Sequence, residues 1–169
     1  MKTVVKLLNA MKEASVIRDY ALFGAMAQMR YTEPVATMDA DVLVLLPGET
    51  GLDVLGPIYR FCEARGYSPR GEAIQVGDWP VQFIPTFSPL TEEAVREAET
   101  GEIEGLPVRV VGATYLAVLA LSVGRAKDYA RILSLLEAGA TDRTQIAALA
   151  ECHELTIQWQ AFARRFLDE

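Results

Sequence analysis

Residues 22–44 read LFGAMAQMRYTEPVATMDADVLV, and the architecture of the chain follows from how that run is divided. Residues 19–23, DYALF, suit a short strand that stops at Gly24. The small and unbranched residues of AMAQMRY favour a helix, with Arg30 at its end to complement the helix dipole. From Asp41 to Leu46, valine and leucine fill both faces of a second strand, as an interior position in a sheet requires. That strand opens on two carboxylates, Asp39 and Asp41, where desolvating charge is costly. Alternate strand residues share a face, so the pair is expected side by side with Ala40 turned away.

Two close carboxylates repel, and one takes up a proton unless a cation keeps both ionised. Magnesium prefers oxygen ligands and commonly takes one or two carboxylates together with substrate phosphates. A plainer alternative puts both aspartates in a solvated loop ahead of the strand. Gly24 weighs against it. A glycine between strand and helix directs backbone N–H groups at a ligand, favours an anion there and permits close approach. A phosphate cradle beside a carboxylate pair holds the parts needed to handle a metal-bound nucleoside triphosphate.

Taken together, this run resembles the signature of the polymerase-beta-like nucleotidyltransferase superfamily. The signature has an apolar residue, Gly, then Gly or Ser, a spacer, and Asp-x-Asp leading into an apolar strand. Here it maps to Phe23-Gly24-Ala25, thirteen intervening residues, and Asp39-Ala40-Asp41-Val42, with Thr37 matching a common T-x-D-x-D form. Further on, residues 123–136, VGRAKDYARILSLL, are similar to the R-x-KD-x-x-R helix of bacterial members related to AbiEii-type abortive-infection toxins. The resemblance implies transfer of a nucleoside monophosphate from a triphosphate to a hydroxyl, with release of pyrophosphate. It also implies roles: Asp39 and Asp41 as magnesium ligands, and Gly24, Ala25, Thr37 and Arg125 as nucleotide contacts. Lys127 would meet phosphate as a point charge.

Two positions depart from the pattern. Ala25 stands where a second glycine or serine is usual, so a hydroxyl contact is lost while the backbone donor stays. The third carboxylate of the superfamily falls in a later strand, and here that stretch is Val81-Gln82-Phe83. Gln82 offers the metal an amide oxygen without charge, so two magnesium sites are the upper bound and one is expected. Asp78, on the turn four residues earlier, is a substitute only if the hairpin bulges or changes register.

With 169 residues, 51% hydrophobic and 23% charged, the chain has globular composition and length enough to bury a core. No run approaches the ~20 apolar residues of a membrane helix. The start, MKTVVKLLNAMKEA, reads as an amphipathic helix and not a signal peptide, which sets cytoplasmic residence as the expectation. A net charge of −7 argues against a protein that coats DNA. Residues 1–104 hold 9 basic and 16 acidic side chains, whereas residues 105–169 hold 7 of each, so the acidity lies with the aspartate pair. Cys62 and Cys152 lack metal-ligand spacing, with only His153 to join them, and read as core or boundary residues.

Along the rest of the chain, helices are expected over 3–13, over 53–65 with Pro57 pushing its start later, and over 88–99 capped by Ser88. PGET, 47–50, is a turn; EAIQV and PVQFIP form a hairpin; GLPVRVVG is a last strand. Beyond Thr114 the pattern is helical, broken at Gly124, at AGAT and at His153. On one of these helices Arg125, Lys127, Asp128 and Arg131 form either a solvated face with an Asp128–Arg131 pair or a basic wall of the cleft. Trp159, Phe162 and Phe166 read as a core or dimer stripe, and Trp79 as a cover of the cleft mouth or a sheet contact.

The fold expected is α/β (α+β), a small mixed sheet flanked by helices in the nucleotidyltransferase arrangement over residues 1–112. A helical C-terminal section, 113–169, packs on it. The function expected is a magnesium-dependent nucleotidyltransferase, toxin-like, acting on RNA or a small-molecule acceptor, with an antitoxin protein as partner by family likeness. The alternatives are a catalytically degenerate nucleotide-binding or protein-interaction module, and an unrelated α/β protein whose aspartate pair is incidental.

Overall fold

The computed structural model describes residues 1–48 and 53–167. They form two compact units: residues 1–26 with 36–111, and residues 27–35 with 112–169.

The first unit holds a seven-stranded mixed sheet. In chain order its strands are β1 (Asp19–Leu22), β2 (Ala40–Leu45), β3 (Ser68–Arg70), β4 (Ala73–Val76), β5 (Trp79–Pro85), β6 (Glu99–Ile103) and β7 (Leu106–Val110). Their spatial order is β3-β4-β5-β2-β1-β7-β6. Strand β2 is central, as its apolar filling requires. It runs antiparallel to β1 and parallel to β5, and β1 runs parallel to β7.

One face of the sheet carries Tyr20, Leu22, Val42, Val44, Val81, Phe83, Val108 and Val110, all buried. The amphipathic helix α1 (Lys2–Glu13) buries Val4, Val5, Leu7, Leu8 and Met11 and packs against β1 and β7. Asn9 fixes its register, accepting from the Tyr20 hydroxyl at 2.7 Å and donating to the Pro107 carbonyl at 3.0 Å. Helix α4 (Pro89–Arg96) packs on β1 and β2. Ser88 and Thr91 close its N-terminus reciprocally in a capping box. Arg109 alternates with Val108 and Val110, so it leaves the apolar face; it donates to the last carbonyls of α4, those of Val95 and Arg96, at 3.0 Å each. Asp19 lies 3.6 Å from the same guanidinium.

The remaining helix of this unit, α3 (Gly56–Glu63), starts three residues after Asp53 because Pro57 fits only a first turn. Of the expected turn at 47–50, Pro47 and Gly48 form a bend, and Glu49 and Thr50 lie outside the described residues. Strands β3 and β6 were not expected from the sequence. Both are edges whose side chains are mostly exposed, so neither carries an apolar alternation.

Helix α2 (Gly24–Gln28) begins in the first unit and ends in the second. It stops short of the expected length, leaving Arg30 in the turn beyond it, 5.9 Å from the Tyr31 ring. The second unit adds α5 (Ala113–Val123), α6 (Ala126–Glu137), α7 (Arg143–Cys152) and α8 (Thr156–Phe166). Helix α5 is apolar nearly all round and packs against the other three, the position such a helix must take. Gly124 ends it in the left-handed conformation, φ 72°. Trp159 and Phe162 are buried, and Phe162 and Phe166 meet the Tyr129 ring at 5.5 and 5.4 Å. Trp159 and Phe162 are therefore core, while Phe166 lies at the exposed edge of the cluster. No described helix is long and apolar enough to cross a membrane.

Candidate nucleotide and metal site

The site is built where β1 and β2 end beside each other. The antiparallel register places Leu22 opposite Val42, and one step further the Phe23 amide donates to the Asp41 carbonyl at 2.9 Å. The chain then reverses into α2 at Gly24, which has φ +61°, a conformation that side chains with a β-carbon rarely adopt. A β-carbon on Gly24 would also collide with the Asp41 Oδ2 and meet its Cβ and Cγ at 3.3 Å. Thus the Asp41 carboxylate lies directly on the glycine turn, with no side chain packed between them. Both reasons for glycine act at once.

On the other side of β2 the parallel pairing sets Asp41 opposite Gln82 of β5. Paired residues in a sheet share a face, so the amide of Gln82 emerges beside the Asp41 carboxylate. Both side chains are half-buried. The register of β5 against β2 is continuous through this point, and its pairing with β4 is unbroken from Trp79 to Val81. There is no bulge to bring Asp78 inward. That residue stays on the exposed two-residue turn Gly77-Asp78.

Asp39 immediately precedes β2 and is exposed. The Thr37 hydroxyl is 3.1 Å from its Oδ1 and 3.0 Å from its carbonyl oxygen, so this threonine is a local partner of Asp39. Ala25, the second residue of α2, is half-buried. Structure therefore brings Gly24, Asp41 and Gln82 together and ties Thr37 to Asp39.

Arg125 and Lys127 lie in the second unit, at the start of α6. Lys127 is exposed. Arg125 is engaged: its Nε donates to Asp128 Oδ2 at 2.7 Å, and its backbone N–H reaches the same oxygen at 3.2 Å. Asp128 is 2% exposed, and Arg131 approaches its Oδ1 at 3.9 Å. The Asp128–Arg131 pair is thus present and Arg125 and Lys127 stay exposed, but the acid itself is buried. Burial by itself would raise the Asp128 carboxyl, but hydrogen bonds from the Arg125 side chain and backbone, with the charges of Arg125 and Arg131, outweigh it. The carboxyl is held below its ordinary range. Arg131 also donates through Nε to Gln28 Oε1 at 3.0 Å, and Gln28 is buried. Neither Asp128 nor Gln28 was expected to be buried. An aspartate at the third helical position is the signal for the first, since it can cap the helix that follows Arg125.

The donor set can be tested against the metal that the fold implies. Asp41 and Gln82 stand beside each other as one carboxylate and one neutral amide oxygen, and Asp39, exposed just before β2, is the next carboxylate along the chain. Among the described residues, no group of three or more histidine, cysteine, aspartate or glutamate side chains could hold an ion. Carboxylate and amide oxygens are the donors that a hard divalent cation takes together with water and phosphate.

No protein-family model matches the sequence, and no protein of curated function matches it significantly. Solved structures do resemble it. An antigenic nucleotidyltransferase-like protein from Paracoccidioides brasiliensis is 17% identical, covering 95% of this chain and 92% of that one, with a TM-score of 0.53. The antibiotic-resistance factor ANT(2'')-Ia is 16% identical, covering 98% and 94%, with a TM-score of 0.49. The Megavirus polyadenylate synthase is 15% identical, covering 83% of this chain and 32% of that one, also at 0.49. The first of these likenesses establishes a nucleotidyltransferase-like fold.

Proposed function

We propose that this chain binds a nucleoside triphosphate with magnesium and transfers the nucleoside monophosphate to a hydroxyl acceptor. The observation that carries the reading is the seat of the Asp41 carboxylate against the Gly24 turn, with nothing packed between acid and backbone. An acid there can share a ligand with the glycine turn only if a cation bridges its charge to the anion. When bound, the cation supplies charge neutralisation for the phosphates.

The chain's own residues do the rest. Asp39 and Asp41 would hold the cation, and Thr37 holds the Asp39 carboxylate in place. Gly24 and Ala25 present backbone to the phosphates. Arg125 and Lys127 are the basic groups assigned to phosphate charge. The acceptor oxygen forms a bond to the α-phosphorus, the bond to the bridging oxygen breaks, and pyrophosphate leaves with the electron pair. Gln82, a neutral amide, cannot act as the base, so the proton of the acceptor passes to a carboxylate of the site and from there to solvent.

The acceptor class in this reading is RNA or a small molecule. A toxin-like role with an antitoxin partner rests on the likeness of residues 123–136 to AbiEii-type helices. One observation favours a second reading, a nucleotide-binding or protein-interaction module without transfer: the amide of Gln82 beside Asp41. Calorimetric titration with magnesium and each triphosphate, followed by pyrophosphate release with candidate acceptors, tests both. Binding abolished by Asp41→Asn, with pyrophosphate released, supports the transferase. Binding without release across RNA and small-molecule acceptors supports the module. If Asp39→Ala and Asp41→Asn bind nucleotide as the parent does, both readings fall.

A further inference from the structure

We infer that Gln82 is the residue that limits this site to a single divalent cation, and that a carboxylate at this one position would open a second. The inference rests on the proposed nucleotide site and adds what sets its metal count. Three observations carry it. First, the pairing of Ala40 with Val81, Asp41 with Gln82 and Val42 with Phe83 is unbroken, so position 82 lies beside Asp41 on the same face of the sheet. Second, Gln82 is half-buried and not a surface residue swept by solvent. Third, no three acidic or other metal-ligating side chains gather anywhere among the described residues.

Charge then fixes the count. Two carboxylates balance one divalent ion. A second ion ~3.5–4 Å away, the spacing of two-metal sites, would face the first across a protein shell of only two negative charges. Gln82 cannot relieve that repulsion, because its amide is neutral at every accessible pH. Magnesium also gives up water reluctantly, and a lone amide oxygen is a poor reason to do so. Changing Gln82 to an acid adds the missing charge at a backbone position that the sheet already holds in register.

The test uses the full chain with manganese and the non-hydrolysable analogue α,β-methylene-ATP. Bound manganese is counted by equilibrium dialysis, and its electron paramagnetic resonance spectrum is recorded. The parent should bind one manganese per chain and show the spectrum of an isolated ion. Gln82→Asp, or the isosteric Gln82→Glu, should bind two and show the signal of a magnetically coupled pair. Gln82→Asn should stay at one. Two manganese ions on the parent would overturn the inference and leave the nucleotide site standing. So would one ion on both acidic variants when circular dichroism shows them folded. No manganese on the parent, with Asp41→Asn unchanged from it, would remove the site itself and the inference with it.

Discussion

Gly24 joins two demands that are usually met by different residues. Its φ of +61° is a backbone requirement, and the carboxylate of Asp41 resting on its α-carbon is a packing requirement. Gly24→Ala should therefore do more than strain the turn. The left-handed conformation costs about 1–2 kcal/mol for a residue with a β-carbon, a loss that a chain of this size survives folded. The new methyl must also push Asp41 off the turn. The expected result is a modest fall in melting temperature with at least a tenfold loss in manganese–nucleotide affinity. Retained affinity at the lowered melting temperature would show that the contact is only packing. This pair was legible in the sequence because a glycine closing a strand and acids opening the next one are local features. Gln82 was legible as a departure, but its place beside Asp41 is a matter of strand register, which no local pattern states. Thr37 was legible as a motif match, and its hydrogen bond to Asp39 came only with the structure.

At the scale of elements, α6 depends on one buried acid. Asp128 accepts from the Arg125 backbone and side chain and neighbours Arg131, which in turn holds Gln28. Its lowered pKa gives the linkage a definite sign. The native chain holds the proton less tightly than the unfolded chain, so the stabilisation is whole above the unfolded value of about 3.9. It is lost as pH falls through the lowered native value. Asp128→Asn removes the charge and keeps the shape. Its cost, about 1.5–3 kcal/mol for hydrogen bonds to a charged group, should be constant above about pH 5 and should shrink below pH 4 in urea melts of parent and variant. A cost independent of pH would mean that shape, not charge, is what the helix needs. The helices and inner strands were readable because each shows the period of its own geometry. Strands β3 and β6 were not, since Ser68-Pro69-Arg70 and Glu99-Thr100-Gly101-Glu102-Ile103 put polar groups to solvent and are held by a neighbour's backbone. The β6–β7 hairpin had one local sign, the turn Glu104-Gly105, in which both residues have positive φ.

For the whole molecule, the division into two units has a built-in pair of reporters, because each unit carries one of the two tryptophans: Trp79 opens β5 and Trp159 lies in α8. A helical tail after the sheet was plain from the sequence. Less plain was that residues 27–35, lying between the two motif halves, join that tail; the reason is the buried Gln28 and its bond to Arg131, which no periodicity announces. Helix α2 consequently belongs to both units, and the chain passes between them at 26–27, 35–36 and 111–112. Loss of one unit's structure frees one end of a helix of only five residues, too short to persist alone. The two units should therefore unfold together. In the single-tryptophan chains Trp79→Phe and Trp159→Phe, denaturant melts should each be one transition for the remaining indole. Adding Phe162→Ala, which empties the centre of the aromatic cluster in the second unit, should cost about 3–5 kcal/mol. That loss should lower the midpoint seen by Trp79 as well as the one seen by Trp159. A shift confined to Trp159 would show that the units are separately stable and that α2 links them without coupling their folding.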